Sequence, residues 1–411
     1  MKTTLWKKDF TLMLAGQVIS LFGNGVLRFA LPLYLLSETG SSALFGLVSA
    51  LSMIPMVLLT PVGGMIADRV HKQRIMVVLD FSTALLAGGY LFLQGKVPLI
   101  PLVTAAMMLL SGIGGAYQPS VQASVPLLVE KKDLVAANAA VSLVSSLAGL
   151  LGPVLGGMLY GGFGLRLILT VSGLCFFVSA VMELFIRIPH IPRSRQPLFA
   201  MVKTDMGESF RFLFREKPLL MKGGLLACGL NLFLSAMLMV GMPVVITQAL
   251  GLDSVWYGYT EGALAAGGLL GGLFAGALGS RLKIRKAYQS LFLCTLTLLP
   301  MGLSLLWLPV FPAYLVITAS ALLLMALSTI FSVQMMAYLQ KETPKALVGK
   351  VLSCIIALSG CAMPLGQALY GGLFELLPPA AVVLAAAAAS LAITLLGRQL
   401  FREIPEDADE K

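Results

Sequence analysis

Long apolar runs, broken by short polar segments, set the plan of this chain. Ala43 to Val62 carries no charged residue. The next stretch, GGMIADRVHKQRIM at 63–76, places Asp68, Arg69, His71, Lys72 and Arg74 within seven positions, and apolar sequence then resumes. A bilayer core takes about 20 apolar residues of helix, whereas a barrel strand takes about 10 in alternation. The runs match the helical length. They predict spans at roughly 10–37, 42–67, 74–94, 98–127, 137–160, 165–187, 219–249, 255–280, 287–308, 311–339, 347–375 and 378–400. Several exceed the minimum, which implies tilt or protruding ends.

Composition agrees. The chain is 58% hydrophobic and 12% charged, about half the charged share of a soluble domain. Its formal charge is +10, but the bases sit in short loops between apolar spans. That is the mark of membrane insertion with positive loops inside, and it argues against nucleic-acid binding. Of 29 Lys and Arg, 26 fall in segments on one side of a twelve-span layout, Lys96 and Arg166 on the other, and Arg28 inside the first span. The asymmetry predicts a multi-pass protein of a bacterial-type cytoplasmic membrane with both termini in the cytoplasm. The start, MKTTLWKKDF, runs into apolar sequence without a small-residue cleavage site, so the first span reads as uncleaved. Cys175, Cys228, Cys294, Cys354 and Cys361 lie singly, with no metal spacing, and read as small buried hydrophobes.

The expected organisation is a first six-helix bundle over 1–187, a cytoplasmic linker over 188–218, a second bundle over 219–400 and a tail over 401–411. The linker is proline-broken, then basic and amphipathic, and predicts a helix on the inner leaflet from about 198 to 215. The tail, EIPEDADEK, is acidic. An internal repeat supports two halves. At offsets of 210–212, SVQ at 120–122 falls on SVQ at 332–334, Phe45-Gly46 on Tyr257-Gly258, GMIADRV on GALGSRL, LYGG at 159–162 on LYGG at 369–372, and Pro32 on Pro243. Two halves of equal orientation follow, related by an axis along the membrane normal.

Twelve spans, parallel halves, a basic linker and the loop at 63–76 resemble the major facilitator superfamily. The resemblance implies an all-α membrane protein with twelve transmembrane helices in two pseudo-symmetric six-helix bundles. The superfamily's signature in the loop after span 2 is G-x-x-x-D-R/K-x-G-R/K-R/K. Gly64, Asp68, Arg69, Lys72 and Arg74 match or nearly match it, while His71 replaces a glycine and Gln73 a base. The second-half copy keeps Gly276 and Arg281 but has Ser280 in place of the acid. By resemblance the first loop acts as a cytoplasmic gate; the alternative is a solvated loop that only sets topology. His71 reads as an exposed loop residue. In span 5, GLLGPVLGGMLYGG holds Gly152, Pro153, Gly156 and Gly157, similar to the antiporter motif of superfamily exporters. Proline loosens a helix and glycines admit a neighbour closely. The alternative is a packing motif without directional meaning. The second half keeps Pro364 and Gly366 but has Gln367. GQVISLFGNGVLRFALPLYL, AYQPSVQASVPLLVEKKDLVAANA and ALVGKVLS look like the macrolide-efflux branch, with siderophore exporters and lysophospholipid transporters similar over the same stretches.

Polar groups at bilayer depth are costly and point to function. Gln17, Asn24 and Arg28 fall on one face of span 1; by resemblance that face lines the substrate cavity. Arg28 could meet an anionic substrate group or pair with an intramembrane acid. Gln118 and Gln122 share a face of span 4, Gln334 is the repeat copy of Gln122, and Asn231 lies in span 7; these are cavity candidates or interhelical hydrogen bonds. Glu261 lies two turns into span 8 among alanines and glycines. Desolvation there favours a protonated carboxyl, so Glu261 is the first candidate for proton coupling, or else a structural acid paired with Arg28. Asp80 in span 3 is a second coupling candidate, or caps the basic loop. Glu183 is expected to pair with Arg187 at i+4.

The expected function is a proton-coupled secondary active exporter of amphipathic small molecules, drug-like or siderophore-like, working by alternating access. The alternative is a lysophospholipid transporter of the same fold. An enzyme is disfavoured: His71 and His190 both lie outside the spans, and no phosphate-binding glycine loop is present. The expected partners are a small amphipathic substrate and membrane lipid, with the protein a monomer. No cofactor or metal is expected; a proton gradient supplies the energy.

Overall fold

The structure, a computed structural model, describes residues 6–130, 133–189, 207–277, 284–344 and 347–403, excluding the side chains of 61, 63–65, 67–69, 135, 285, 400 and 402. Ten helices among the described residues are long and apolar enough to cross a membrane. One of these, Ala136–Leu184, has 49 residues. At 1.5 Å per residue that is about 74 Å, more than twice a bilayer core of about 30 Å. Its backbone breaks at Gly164, with φ 70 and ψ −177, a conformation essentially reserved for glycine. It therefore counts as two spans. Ser254–Ala277 adds a twelfth, its apolarity diluted by seven glycines and Glu261.

The helices are α1 (Lys8–Thr39), α2 (Ser42–Arg69), α3 (Lys72–Leu93) and α4 (Leu99–Leu128), then α5 (134–163) and α6 (165–184) on either side of Gly164. The second set is α7 (Pro218–Ala249), α8 (Ser254–Ala277), α9 (Ala287–Trp307), α10 (Val310–Glu342), α11 (Val348–Leu376) and α12 (Pro379–Glu403). Local signals mark their ends. Gly40 closes α1 in the left-handed region, φ 64, with its N–H on the Leu36 carbonyl. Ser41 opens α2 by accepting from the Leu44 N–H at 3.2 Å. α7 contains two wide π turns, Asn231–Ser235 and Val244–Ala249.

Contacts divide the chain into two compact units, Met1–Ser194 with Asp253–Gly262, and Arg195–Leu252 with Ala263–Lys411. In the first, α1 packs along α5 and α6, α2 along α4, and α3 against α4 and the α5–α6 pair. Leu27, Leu31, Met107, Ile168 and Phe176 form one core cluster, and Phe10, Met76, Tyr117, Val121 and Ile186 another. In the second unit α9 packs on α10 and α12, and α11 on α7, around Leu220, Leu291, Val351 and Phe401. Large apolar side chains such as Leu85, Leu174, Leu273 and Leu396 are exposed; these are the positions a bilayer covers.

The linker departs from expectation. Residues 207–216 are helical, but Phe212 and Leu213 are buried in the second unit's core. Protein therefore covers Phe212 and Leu213 of this segment, while Phe214 is exposed. Ion pairs Glu208–Lys350 at 2.7 Å and Lys217–Glu342 at 2.6 Å tie it down. Positions 198–206 lie outside the described residues.

The repeat is visible in burial, and burial corrects its register. Met76, Asp80, Thr83, Ala87 and Tyr90 of α3 are buried, as are Ala287, Leu291, Cys294, Leu298 and Met301 of α9, each 211 later. In α4 and α10 the buried positions match at 210: Val103 with Ala313, Met107 with Ile317, Val121 with Phe331, Ser124 with Gln334. Gln122 is exposed while Gln334 is buried, so the two SVQ strings do not occupy equivalent faces. A shift of two residues turns a helix by about 200°.

Candidate functional site

α5 carries glycine on two faces. A methyl added at Gly152 would lie 3.1 Å from the Gly25 Cα, and one at Gly156 3.0 Å from the Phe29 ring, so this face meets α1. A methyl at Gly157 would lie 2.6 Å from the Ser254 carbonyl oxygen, and one at Gly258 2.8 Å from the Pro153 carbonyl oxygen, so the next face meets the start of α8. Ser254 Oγ donates to the Gly157 carbonyl at 3.3 Å. Phe29 and Tyr257 stack at 4.9 Å beside this contact. The Gly152-Pro153-Gly156-Gly157 motif is thus the surface on which α1 and the first turns of α8 approach α5 without side chains between them.

One turn beyond Tyr257 sits Glu261, with Tyr257 as its hydrogen-bond partner. Arg28 does not reach it. Arg28 Nε donates to Asn24 Oδ1 at 2.6 Å and Nη2 to the Leu110 carbonyl at 3.4 Å, and Gly114 leaves room for its head. Among the described residues no ion pair joins Arg28 and Glu261.

A cavity of about 30 Å³ opens within the first unit, lined by Asn24, Gln118, Ser20, Asp80, Thr83 and Tyr117 among others. A water needs about 10–15 Å³ measured this way, so the space suits one or two. Asn24 and Gln118 thus meet at a polar pocket with Asp80. Gln17 is buried beside Gly16, with neither side-chain atom partnered among the described residues. Asn231 Nδ2 donates to the Ser359 carbonyl at 3.0 Å and Oδ1 accepts from Ser235 at 3.1 Å: this is a bond between α7 and α11 rather than a free cavity group.

Tyr117 of this pocket has a partner beside it that was not legible in the sequence. Tyr117 donates to Glu183 Oε1 at 2.7 Å, and Glu183 is fully buried. The expected Glu183–Arg187 pair does not form, because α6 ends at Leu184 and i+4 spacing has no meaning beyond it; Arg187 is exposed. Asp80 lies within electrostatic reach of Glu183, against Ser179.

Of the gate motif, the side chains of Gly64, Asp68 and Arg69 lie outside the described residues. Lys72 is buried at the start of α3 and Arg74 is exposed. Gln73, where the signature has a base, donates from Nε2 to the carbonyls of Glu183 at 3.1 Å and Leu184 at 2.8 Å. It closes the C-terminus of α6, whose last carbonyls have no helical partner.

Twelve membrane-length helices among the described residues, with a repeated burial pattern and charge only in a few buried places, describe a membrane transporter frame. The sequence profile of the Major Facilitator Superfamily matches residues 13–366. The chain belongs to that superfamily. Among curated relatives of this superfamily member, Macrolide efflux protein A of Streptococcus pyogenes is 26% identical over 88% of each chain. Enterobactin exporter EntS of Shigella boydii is 24% identical over 94% of this chain and 90% of its own. The fold is that of the nucleoside transporter NupG, at TM-score 0.72 and 13% identity over 97% and 100% of the two chains. A bacterial homologue of the iron transporter ferroportin in its inward-facing state matches at TM-score 0.68 and 19% identity over 98% and 99%. The protein is a multi-pass membrane transporter and not an enzyme.

Proposed function

We propose that this transporter is a proton-driven exporter of amphipathic small molecules, drug-like or siderophore-like, working by alternating access in a bacterial inner membrane with both termini in the cytoplasm. The observation that carries the reading is similarity along nearly the whole chain to a macrolide efflux protein and an enterobactin exporter. The double glycine face of α5 supports it, since the close approach there lets helices shift against one another without side chains interlocking. Glu261, held by Tyr257 at the edge of that contact, is the coupling carboxyl, with Asp80 the second candidate. Asn24, Arg28 and Gln118 are the substrate-facing polar groups. The protein acts as a monomer, in contact with lipid and without a cofactor.

Reconstitution in liposomes under a pH gradient tests this, with a macrolide, a cationic dye, a catechol siderophore and a fluorescent lysophospholipid as probes. The expected result is gradient-dependent movement of the macrolide or the siderophore, reduced at least about tenfold in Glu261→Gln (~1.4 kcal/mol), with the variant still monodisperse. Movement of the lysophospholipid alone, with or without the gradient, would overturn the reading in favour of lipid transport and make Arg28 the phosphate ligand.

A further inference from the structure

The first unit holds two buried carboxyls with no cation beside them among the described residues. Asp80 of α3 is 3% exposed and Glu183 of α6 is 0% exposed. Four helices meet here, and each contributes polar atoms. α1 brings Ser20, and Gly16, whose carbonyl accepts from Ser179 Oγ at 3.0 Å. α3 brings Asp80 and Thr83, α4 brings Tyr117, and α6 brings Ser179 and Glu183. Among the described residues, the titratable groups that face one another are Asp80, Tyr117 and Glu183. The buried base on α3, Lys72, lies eight residues before Asp80, about 12 Å along the helix axis. Three oxygens in the group have no hydrogen-bond partner among the described residues: Asp80 Oδ2, Glu183 Oε2 and Ser20 Oγ. Ser20, Asp80 and Tyr117 also line the 30 Å³ cavity.

Two adjacent carboxylates cannot both stay ionised out of water without a counter-charge. The cost is several kcal/mol per ion before their mutual repulsion is added. Tyr117 can relieve only part of this, since its single O–H is committed to Glu183 Oε1. A metal ion would need four or more oxygens turned inward, and three are unclaimed. A proton needs one. We propose that Asp80 and Glu183 share one exchangeable proton, with Tyr117 holding Glu183 in place and the adjacent cavity supplying the water through which the proton enters and leaves. The proton adds to one carboxylate oxygen as water delivers it, and returns to water on release. The site is distinct from Glu261. Its part in transport rests on the proton-driven reading above; its occupancy does not.

Infrared spectroscopy of the unliganded, detergent-purified protein reads occupancy directly through the C=O absorption of protonated carboxyls. At neutral pH the native protein should show a protonated component that Glu261→Gln leaves in place. Asp80→Asn and Glu183→Gln should each remove it. Tyr117→Phe should keep the component and shift its frequency, because the carboxyl loses a donor; this variant serves if either amide variant fails to fold. Persistence of the component in both amide variants, or its absence from the native protein, would overturn the proposal. So would its loss when sodium chloride replaces choline chloride, which would make the pair a cation site. The liposome experiment fails independently: a native component without gradient-driven export sinks the coupling reading and leaves the shared proton standing.

Discussion

α3 and α9 bury the same five positions in their respective units, yet fill them differently. Where α3 has Asp80 and Thr83, α9 has Leu291 and Cys294; where α6 has Ser179 and Glu183, α12 has Ser390 and Thr394 at the same offset of 211. Thr394 satisfies itself on the Ser390 carbonyl at 2.8 Å, and Cys294 on the Leu324 carbonyl at 3.4 Å. The second unit shows that these positions pack well without charge. Packing therefore does not require the acids of the first unit. Burying them without a counter-charge costs folding energy.

Exchanging residues between the units is the severest way to break that comparison. Leu291→Asp places a carboxyl where no Tyr117 or cavity receives it. It should lower stability by about 3–5 kcal/mol, read as lost monodispersity on size exclusion. Asp80→Leu should give the opposite pattern: a folded protein, within about 1.5 kcal/mol of native, that no longer exports under a gradient. Equal damage from both exchanges would mean the acids are structural after all.

The glycine faces sharpen the comparison at the level of helix packing. Gly157 of α5 corresponds to Gln367 of α11, and Gly156 to Gly366, where a methyl would press on Ala236 and the Leu232 carbonyl. Gly157→Ala and Gly366→Ala should each cost about 1–3 kcal/mol by overpacking in thermal unfolding. Gly162→Ala, which faces open space, should cost nothing. If Gly157→Ala keeps full export, the α5–α8 approach has no role in transport.

Smaller effects follow at the ends of the helices. Gln73→Ala removes two hydrogen bonds from the last turn of α6 and should cost about 1–2 kcal/mol, with faster amide exchange over 180–186 as the readout. Lys222→Ala breaks an exposed pair with Glu403 and should change stability by less than about 1 kcal/mol, an amount that high salt abolishes in the native protein.

The span layout was legible because apolar length alone decides it, and even the break at Gly164 fell between two read spans. The glycine motif was legible as a close-packing surface, but not which helix each face meets, since that depends on rotation about the helix axis. Identical letters also misled. The two SVQ strings match at 212, while burial in those helices matches at 210, and a two-residue slip carries Gln122 to the outside. The Glu183 pairing failed for a different reason. Side-chain spacing rules assume the helix continues, and α6 stops one residue after the acid. What replaced Arg187 was Tyr117, 66 positions away, a contact only the tertiary structure can make.

Within the first unit, Gln73 links the start of α3 to the end of α6. Gln73, one of two departures from the loop signature, grips the main chain of the residue that carries the buried acid, so the start of α3 and the end of α6 are joined. One side chain thus joins backbone positions 110 apart in sequence. Any motion of the start of α3 therefore has to break these bonds or carry the end of α6 with it.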